Sequence, residues 1–180
     1  IGGFAVMAFF VISGYCIAHD VGVFVEYRAH HRHSMAMILN AEWSGWNEED
    51  KRLVALIARY HRKAEPAKRH AEYSALSKEE RSLVRRMAAV LRVADGLDRS
   101  HTQAVRGVGV KVARGRCVVE VDALGDVAVD LAGAQSKCGL FEDEFGVKVR
   151  FEHARPAESE APAIVSATPR PRRRSRVSVR

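Results

Sequence analysis

The 180 residues, 47% hydrophobic and 28% charged, describe one ordinary globular domain with at most a small appendage, and they exclude a chain disordered throughout. Three cysteines, Cys16, Cys117 and Cys138, form no CxxC pair, which argues against a zinc knuckle or disulfide framework and makes a reducing cytoplasm the expected compartment. The net charge of +7 is uneven: residues 153–180 carry seven arginines against Glu158 and Glu160, a balance of +5 that leaves +2 elsewhere.

Ile1 to Ala18 carries no charged residue and reaches the lower length limit of a membrane span. Gly2, Gly3, Ser13 and Gly14 interrupt it, His19–Asp20 closes it, and no basic leader precedes it. A buried helix competes with a membrane anchor here, and membrane association is not expected. The string from Ala5 to Ala18 also resembles a transmembrane segment of membrane acyltransferases, so residues 1–18 are either a core helix or a gene junction. Because the first residue is Ile1 and not Met, the chain is expected to be a piece of a longer protein.

From His30 to Arg99 the pattern is helical. Ser34, Ile38 and Ala41 share a face of a first helix that gives out near Trp43–Trp46. Asn47 offers an N-cap, with Glu48, Glu49 and Asp50 where a helix dipole favours negative charge. Leu53, Leu56, Ile57 and Tyr60 then follow at helical spacing, and Pro66 lies in a polar connector. Ser77 to Glu80 reads as a capping box opening a long helix with the stripe Leu83, Val84, Met87, Val90, Leu91 and Ala94. Beyond Arg99 the period changes to alternation. Val105–Val112 and Cys117–Val121 predict two strands around an Arg114–Gly115 turn, and Val127–Leu131 fits a third. A helix over 132–144 and a strand over Val147–Phe151 complete the folded part. The fold class is therefore α+β: a mainly helical domain, a small α/β appendage over 102–152, and a disordered tail over 153–180. That tail holds four of the five prolines and few large apolar side chains, too little to offset ordering entropy. It has no aromatic stacking platform, so specific nucleic-acid binding is not expected.

Histidine placement carries the chemical signal. His19, His30, His31, His33 and His61, five of the eight histidines, fall between positions 19 and 61, and imidazole with carboxylate is the ligand set for divalent ions. His19–Asp20 supplies nitrogen and oxygen from adjacent residues, and Gly22 lets the backbone turn away from the pair. Successive residues diverge by roughly 100° around a helix, so His30 shares a face with Ser34 while His31 and His33 are expected at the surface. Asp95 stands on the apolar stripe of the long helix. It is either a metal ligand or the partner of a buried arginine such as Arg92 or Arg99. The run Arg59, His61, Arg62 and Lys63 suits a helix C-terminus and equally a phosphate-facing patch.

Four segments occur in a telling order: HDVG (19–22), AHHRHS (29–34), ALIARYHRK (55–63) and LRVADGLDRSH (91–101). They resemble the C-terminal region of the Ppx/GppA phosphatases, and KCGLFEDEFGVKV (137–149) is similar to the end of that region. The resemblance spans His19 to Glu152 and implies an HD-type helical domain over 19–101. It implies a divalent metal, Mg, Mn or similar, at His19, Asp20 and Asp95, with His30 and His61 as second-metal or phosphate ligands. It also implies polyphosphate or another phosphate polyanion as partner, bound along Arg59, His61, Arg62 and Lys63, and a homodimeric parent. Two departures stand out. No histidine precedes His19, so the metal set lacks its first ligand, and FFVISGYCIA (9–18) replaces an Ala/Leu-rich stretch. Exopolyphosphatase chemistry in this family resides in an N-terminal actin-like pair of domains, absent from this sequence. The expected role is accessory to hydrolysis of phosphoanhydride bonds. A stand-alone HD phosphohydrolase and a membrane-anchored fragment are the alternatives.

Overall fold

The computed structural model of the chain describes residues 21–42 and 44–153. The expected apolar segment over 1–18, the His19–Asp20 pair and the expected disordered tail beyond His153 lie outside the described residues. Two short 3-10 turns, Val21–Phe24 and Tyr27–Ala29, lead into α1 (His30–Asn40). There follow α2 (Glu48–Tyr60), the single turn α3 (Ala71–Ser74) and the long α4 (Lys78–Leu97). Beyond them come β1 (Val105–Ala113), β2 (Arg116–Ala123), α5 (Ala128–Lys137), α6 (Gly139–Phe145) and β3 (Lys148–His153). This is the α+β class expected from the sequence, with helix in the majority.

Helix starts are where the local chemistry put them. Asn47 accepts a hydrogen bond from the Asp50 amide at 2.7 Å, so α2 has its side-chain cap and three acids on its first turn. Ser77 and Glu80 close a reciprocal box: Ser77 Oγ accepts from the Glu80 amide and Glu80 accepts from the Ser77 amide. The box lies at the point where α4 must leave the connector.

The stretch Val127–Leu131 is not a third strand. The Ala128 amide donates to Asp126 Oδ1 at 2.9 Å, and this turn launches α5. A strand would place Val127, Val129 and Leu131 on one face; instead Val127, Asp130 and Ala134 are buried, at helical spacing, and Val129 is exposed. Likewise the helix expected over 132–144 is two helices that meet at Cys138–Gly139.

Strand order is β1-β2-β3, with β1 and β2 antiparallel and β2 and β3 parallel. The β1–β2 hairpin turns on Arg114 and Gly115 at φ of 49° and 73°, the double left-handed signature of a tight hairpin turn. A parallel neighbour cannot be reached by a hairpin, and α5 with α6 make the crossover.

Buried side chains form two clusters. One joins Ile38 of α1, Ala55, Leu56, Ile57, Ala58 and Tyr60 of α2, Tyr73 and Leu76, and the inward face of α4. Burying each large side chain here contributes about 1.5–3 kcal/mol. The other packs Cys117, Val119 and Val121 of β2 with Cys138 and Val149, beneath Val93 and Leu97 of α4. α4 therefore belongs to both, and Phe141 touches both. Leu83, assigned to the apolar stripe, is exposed. Val108, Val110 and Val112 of β1 share the inner face of the sheet in register with Val121, Val119 and Cys117 but remain in solvent.

Candidate functional site

The buried face of α1 is mostly polar. Its buried residues are His30, His31, Ser34 and Ile38. Gly22 is pressed against it: the Gly22 amide donates to Ser34 Oγ at 3.0 Å, and a Cβ at Gly22 would lie 2.2 Å from the His30 carbonyl oxygen. This glycine serves close approach of the backbone to α1, while the His19–Asp20 pair from which it was expected to turn the backbone lies outside the described residues.

That contact sets His30 opposite His61, the residue that ends α2. Their Nε2 atoms are 3.1 Å apart and their rings stack with centroids at 5.2 Å. His30 Nδ1 bonds the Tyr27 carbonyl at 3.0 Å, and His61 Nδ1 bonds the Ala58 carbonyl at 2.5 Å. A carbonyl only accepts, so each Nδ1 carries a proton and each Nε2 presents a lone pair. A hydrogen bond between the two Nε2 atoms then requires a second proton on one ring. Fixing Nδ1 on a carbonyl is also the arrangement that orients an imidazole towards a cation.

His31, expected at the surface, is buried at 4% exposure, and its Nδ1 has no hydrogen-bond partner among the described residues. Burial first, then Arg59, Lys63, His30 and Arg32, hold its pKa down at about 4, so the ring is neutral at neutral pH. His33 is half-buried, 3.7 Å from Glu26.

Beside His30 opens a cleft of about 330 Å³, lined by Val23, Phe24, Tyr27, His30, Arg62, Asp95, Arg99 and His101. Arg62 lies over the Tyr27 ring at 5.4 Å, a cation–π contact that keeps the guanidinium at the cleft. Neither Arg62 nor Arg99 makes an ion pair among the described residues. Asp95 is half-buried in the wall and ion-paired with Lys137 of α5, so among the described residues it pairs with a lysine from a distant segment. Arg92 instead donates to the carbonyls of Tyr60 and Lys63 and closes the end of α2.

The run Arg59, His61, Arg62 and Lys63 does not form one patch. Arg62 faces the cleft and His61 is fully buried against His30. Arg59 lies over the Tyr60 ring at 5.8 Å, and Lys63, at φ 59°, donates to the Arg28 carbonyl. Burial and Arg32 hold the Arg59 guanidinium below its ordinary pKa. His30, His61 and Asp95 gather around the same end of the helical domain, whereas His19 and Asp20 lie outside the described residues. Among the described residues, no three His, Cys, Asp or Glu side chains stand together as a metal-binding group. No helix among them is long and apolar enough to cross a membrane.

Tyr27, Arg99 and His101 were not singled out as site residues from the sequence. The last two belong to the LRVADGLDRSH segment, whose charged residues beyond Asp95 were the available signal. Tyr27 had none. A family model described as Ppx/GppA phosphatase, domain III, matches residues 11–120, more than half of the chain.

Proposed function

The chain belongs to the Ppx/GppA phosphatase family, and from that premise we propose that it forms an accessory, HD-type region of a protein that hydrolyses phosphoanhydride bonds in polyphosphate or guanosine pentaphosphate. Its part is to bind the phosphate polyanion, not to break the bond. One observation carries this reading. Arg62 and Arg99 bring two positive charges to one cleft, with His30 and His101 beside them and no ion pair to neutralise the two guanidiniums among the described residues. Guanidinium forks match phosphate oxygens in two-point geometry, and a positive cleft concentrates polyanions by long-range attraction. The second group, Arg32, Arg59 and Lys63 around His31, would continue the positive surface past α2. We read the helical region and the α+β appendage as distinct parts, a division supported by the two buried clusters. We also read the parent as a cytoplasmic homodimer.

Calorimetric titration of the chain with tripolyphosphate at two salt concentrations tests the reading. Binding that weakens with salt, and weakens roughly tenfold in Arg62→Ala or Arg99→Ala, is the expected result. Salt-insensitive binding, or wild-type affinity in both variants, overturns it. In the full-length parent, neutralising Arg62 and Lys63 is expected to slow long-chain polyphosphate processing, and unchanged kinetics on long chains would count against the idea.

A second reading is favoured by the facing imidazoles: a metal-dependent phosphohydrolase. The two Nε2 atoms at 3.1 Å, each with Nδ1 fixed on a carbonyl, fit a divalent ion. His30 and His61 would hold it, with His19, Asp20 and Asp95 as further ligands on the family pattern. When bound, such an ion supplies an activated water and a Lewis acid for attack at phosphorus. The Asp95–Lys137 ion pair competes with this assignment. Metal content well below stoichiometric in the purified chain, with no activity on a generic phosphate ester, would exclude it.

A further inference from the structure

We propose that Asp130 is a positioning residue that holds the loop after α4 so that Arg99 and His101 face the cleft; this rests on the reading of that cleft as a polyanion site.

α5 meets the end of α4 along one face. Asp130, Gly133–Ala134 and Lys137 recur at three- to four-residue spacing, and each has a partner in the segment from Asp95 to Ser100. Lys137 pairs with Asp95. A Cβ on Gly96 would lie 2.5 Å from Ala134 Cα, so the two helices touch backbone to backbone there. Gly133 leaves room for the stem of Arg99, whose Cβ would stand 2.9 Å from a Cβ at position 133.

At the end of this face Asp130 is buried, at 1% exposure, and both carboxylate oxygens are used on one residue. Oδ1 accepts from the Ser100 amide at 2.6 Å and Oδ2 accepts from Ser100 Oγ at 2.9 Å. A buried carboxylate is costly without such bonds, so the contact is directional and hard to exchange for water. With its proton committed to Asp130, Ser100 Oγ is left to accept from Thr102 Oγ1 at 2.7 Å. The anchor thereby reaches two residues further along the loop. That reach matters because His101 and Gln103 both sit at φ 56°, a left-handed conformation that non-glycine residues rarely adopt. The loop holds this shape only when its surroundings impose it. Arg99 and His101, one on each side of Ser100, are the two residues it contributes to the cleft.

The test uses the whole chain. Hydrogen exchange of the amides from Ser100 to Gln103 is expected to rise in Asp130→Ala and to stay near wild type in Asp130→Asn, whose Oδ1 still accepts from the Ser100 amide. Tripolyphosphate affinity is expected to fall roughly tenfold in Asp130→Ala and to recover in Asp130→Asn. In the Asp130→Ala background, Arg99→Ala should cost little more, while Arg62→Ala should keep its full effect. Unchanged exchange in Asp130→Ala, or an Arg99→Ala effect of equal size in both backgrounds, overturns the proposal. Should Asp130→Ala fail to fold, Ser100→Ala removes the same hydroxyl link and is read in the same way. A wild-type chain that binds no tripolyphosphate overturns the cleft reading instead, and the exchange result alone then decides the latch.

Discussion

His30 and His61 meet Nε2 to Nε2 at 3.1 Å across the α1–α2 interface, each with its other nitrogen tied to a carbonyl one turn back. α1 buries just one large aliphatic side chain, Ile38, so this imidazole pair does for α1 what a leucine pair does in an ordinary helix contact. A hydrogen bond between the two Nε2 atoms needs a proton on one of them, since two lone pairs cannot bond.

Replacing His61 by Ala should be among the costliest single changes. It empties a fully buried site and leaves His30 Nε2 without this partner, for an expected loss of about 2–4 kcal/mol. Urea unfolding of the variant checks this, and a loss below the error of the method would show that the pair is not structural.

Stability should fall as pH drops from 6.5 towards 4. His31 has a depressed pKa, about 4 in the fold against 6.5 in an unfolded chain, because of burial and the charges of Arg32, Arg59, Lys63 and His30 around it. Between those values the unfolded chain binds a proton that the folded chain refuses, so protons favour unfolding, by about 1–3 kcal/mol in total. Unfolding midpoints measured across this window for wild type and His31→Leu give the check, with a shallower pH slope expected for the variant.

Gly96→Ala should loosen the appendage. Its Cβ would lie 2.5 Å from Ala134 Cα, and the neighbouring atoms are backbone, which cannot step aside. Overpacking of this kind costs about 1–3 kcal/mol. Gly22→Ala, 2.2 Å from the His30 carbonyl oxygen, should behave alike at the other side of the site. Thermal melts of the two variants, both lowered, are the expected result.

Ser77→Ala removes one half of the capping box at the start of α4 and should cost about 1 kcal/mol. Ser77→Asp should keep the cap and stay close to wild type in the same denaturation experiment.

The helices were legible wherever a local signal existed. Asn47 and the Ser77–Glu80 box marked two starts, and Arg114–Gly115 marked the hairpin, because caps and tight turns are satisfied within four residues. Val127–Leu131 misled because a short apolar alternation also fits the first turn of a helix, and the Asp126 turn that decides it is a single weak signal. In the site, motif order brought forward His30, His61 and Asp95. The distant contacts did not show: Lys137 and Asp130 lie some thirty residues or more from Asp95 and Ser100, which they hold, and the crossover of the sheet brings them near. His31 was assigned to solvent on helical angle alone, whereas α1 is covered on two sides, by α2 and by the turn at Gly22.

The family match stops at residue 120, in the middle of β2. The stretch matched by the family model and the stretch that packs as a unit therefore have different edges in this chain. A truncation made where the likeness ends would sever a central strand, strip Cys117 and Val119 of their cover, and cut away the residues that grip Asp95, Gly96 and Ser100. Anyone subcloning the recognisable part by itself should expect an insoluble product, and should carry the cut past His153 instead.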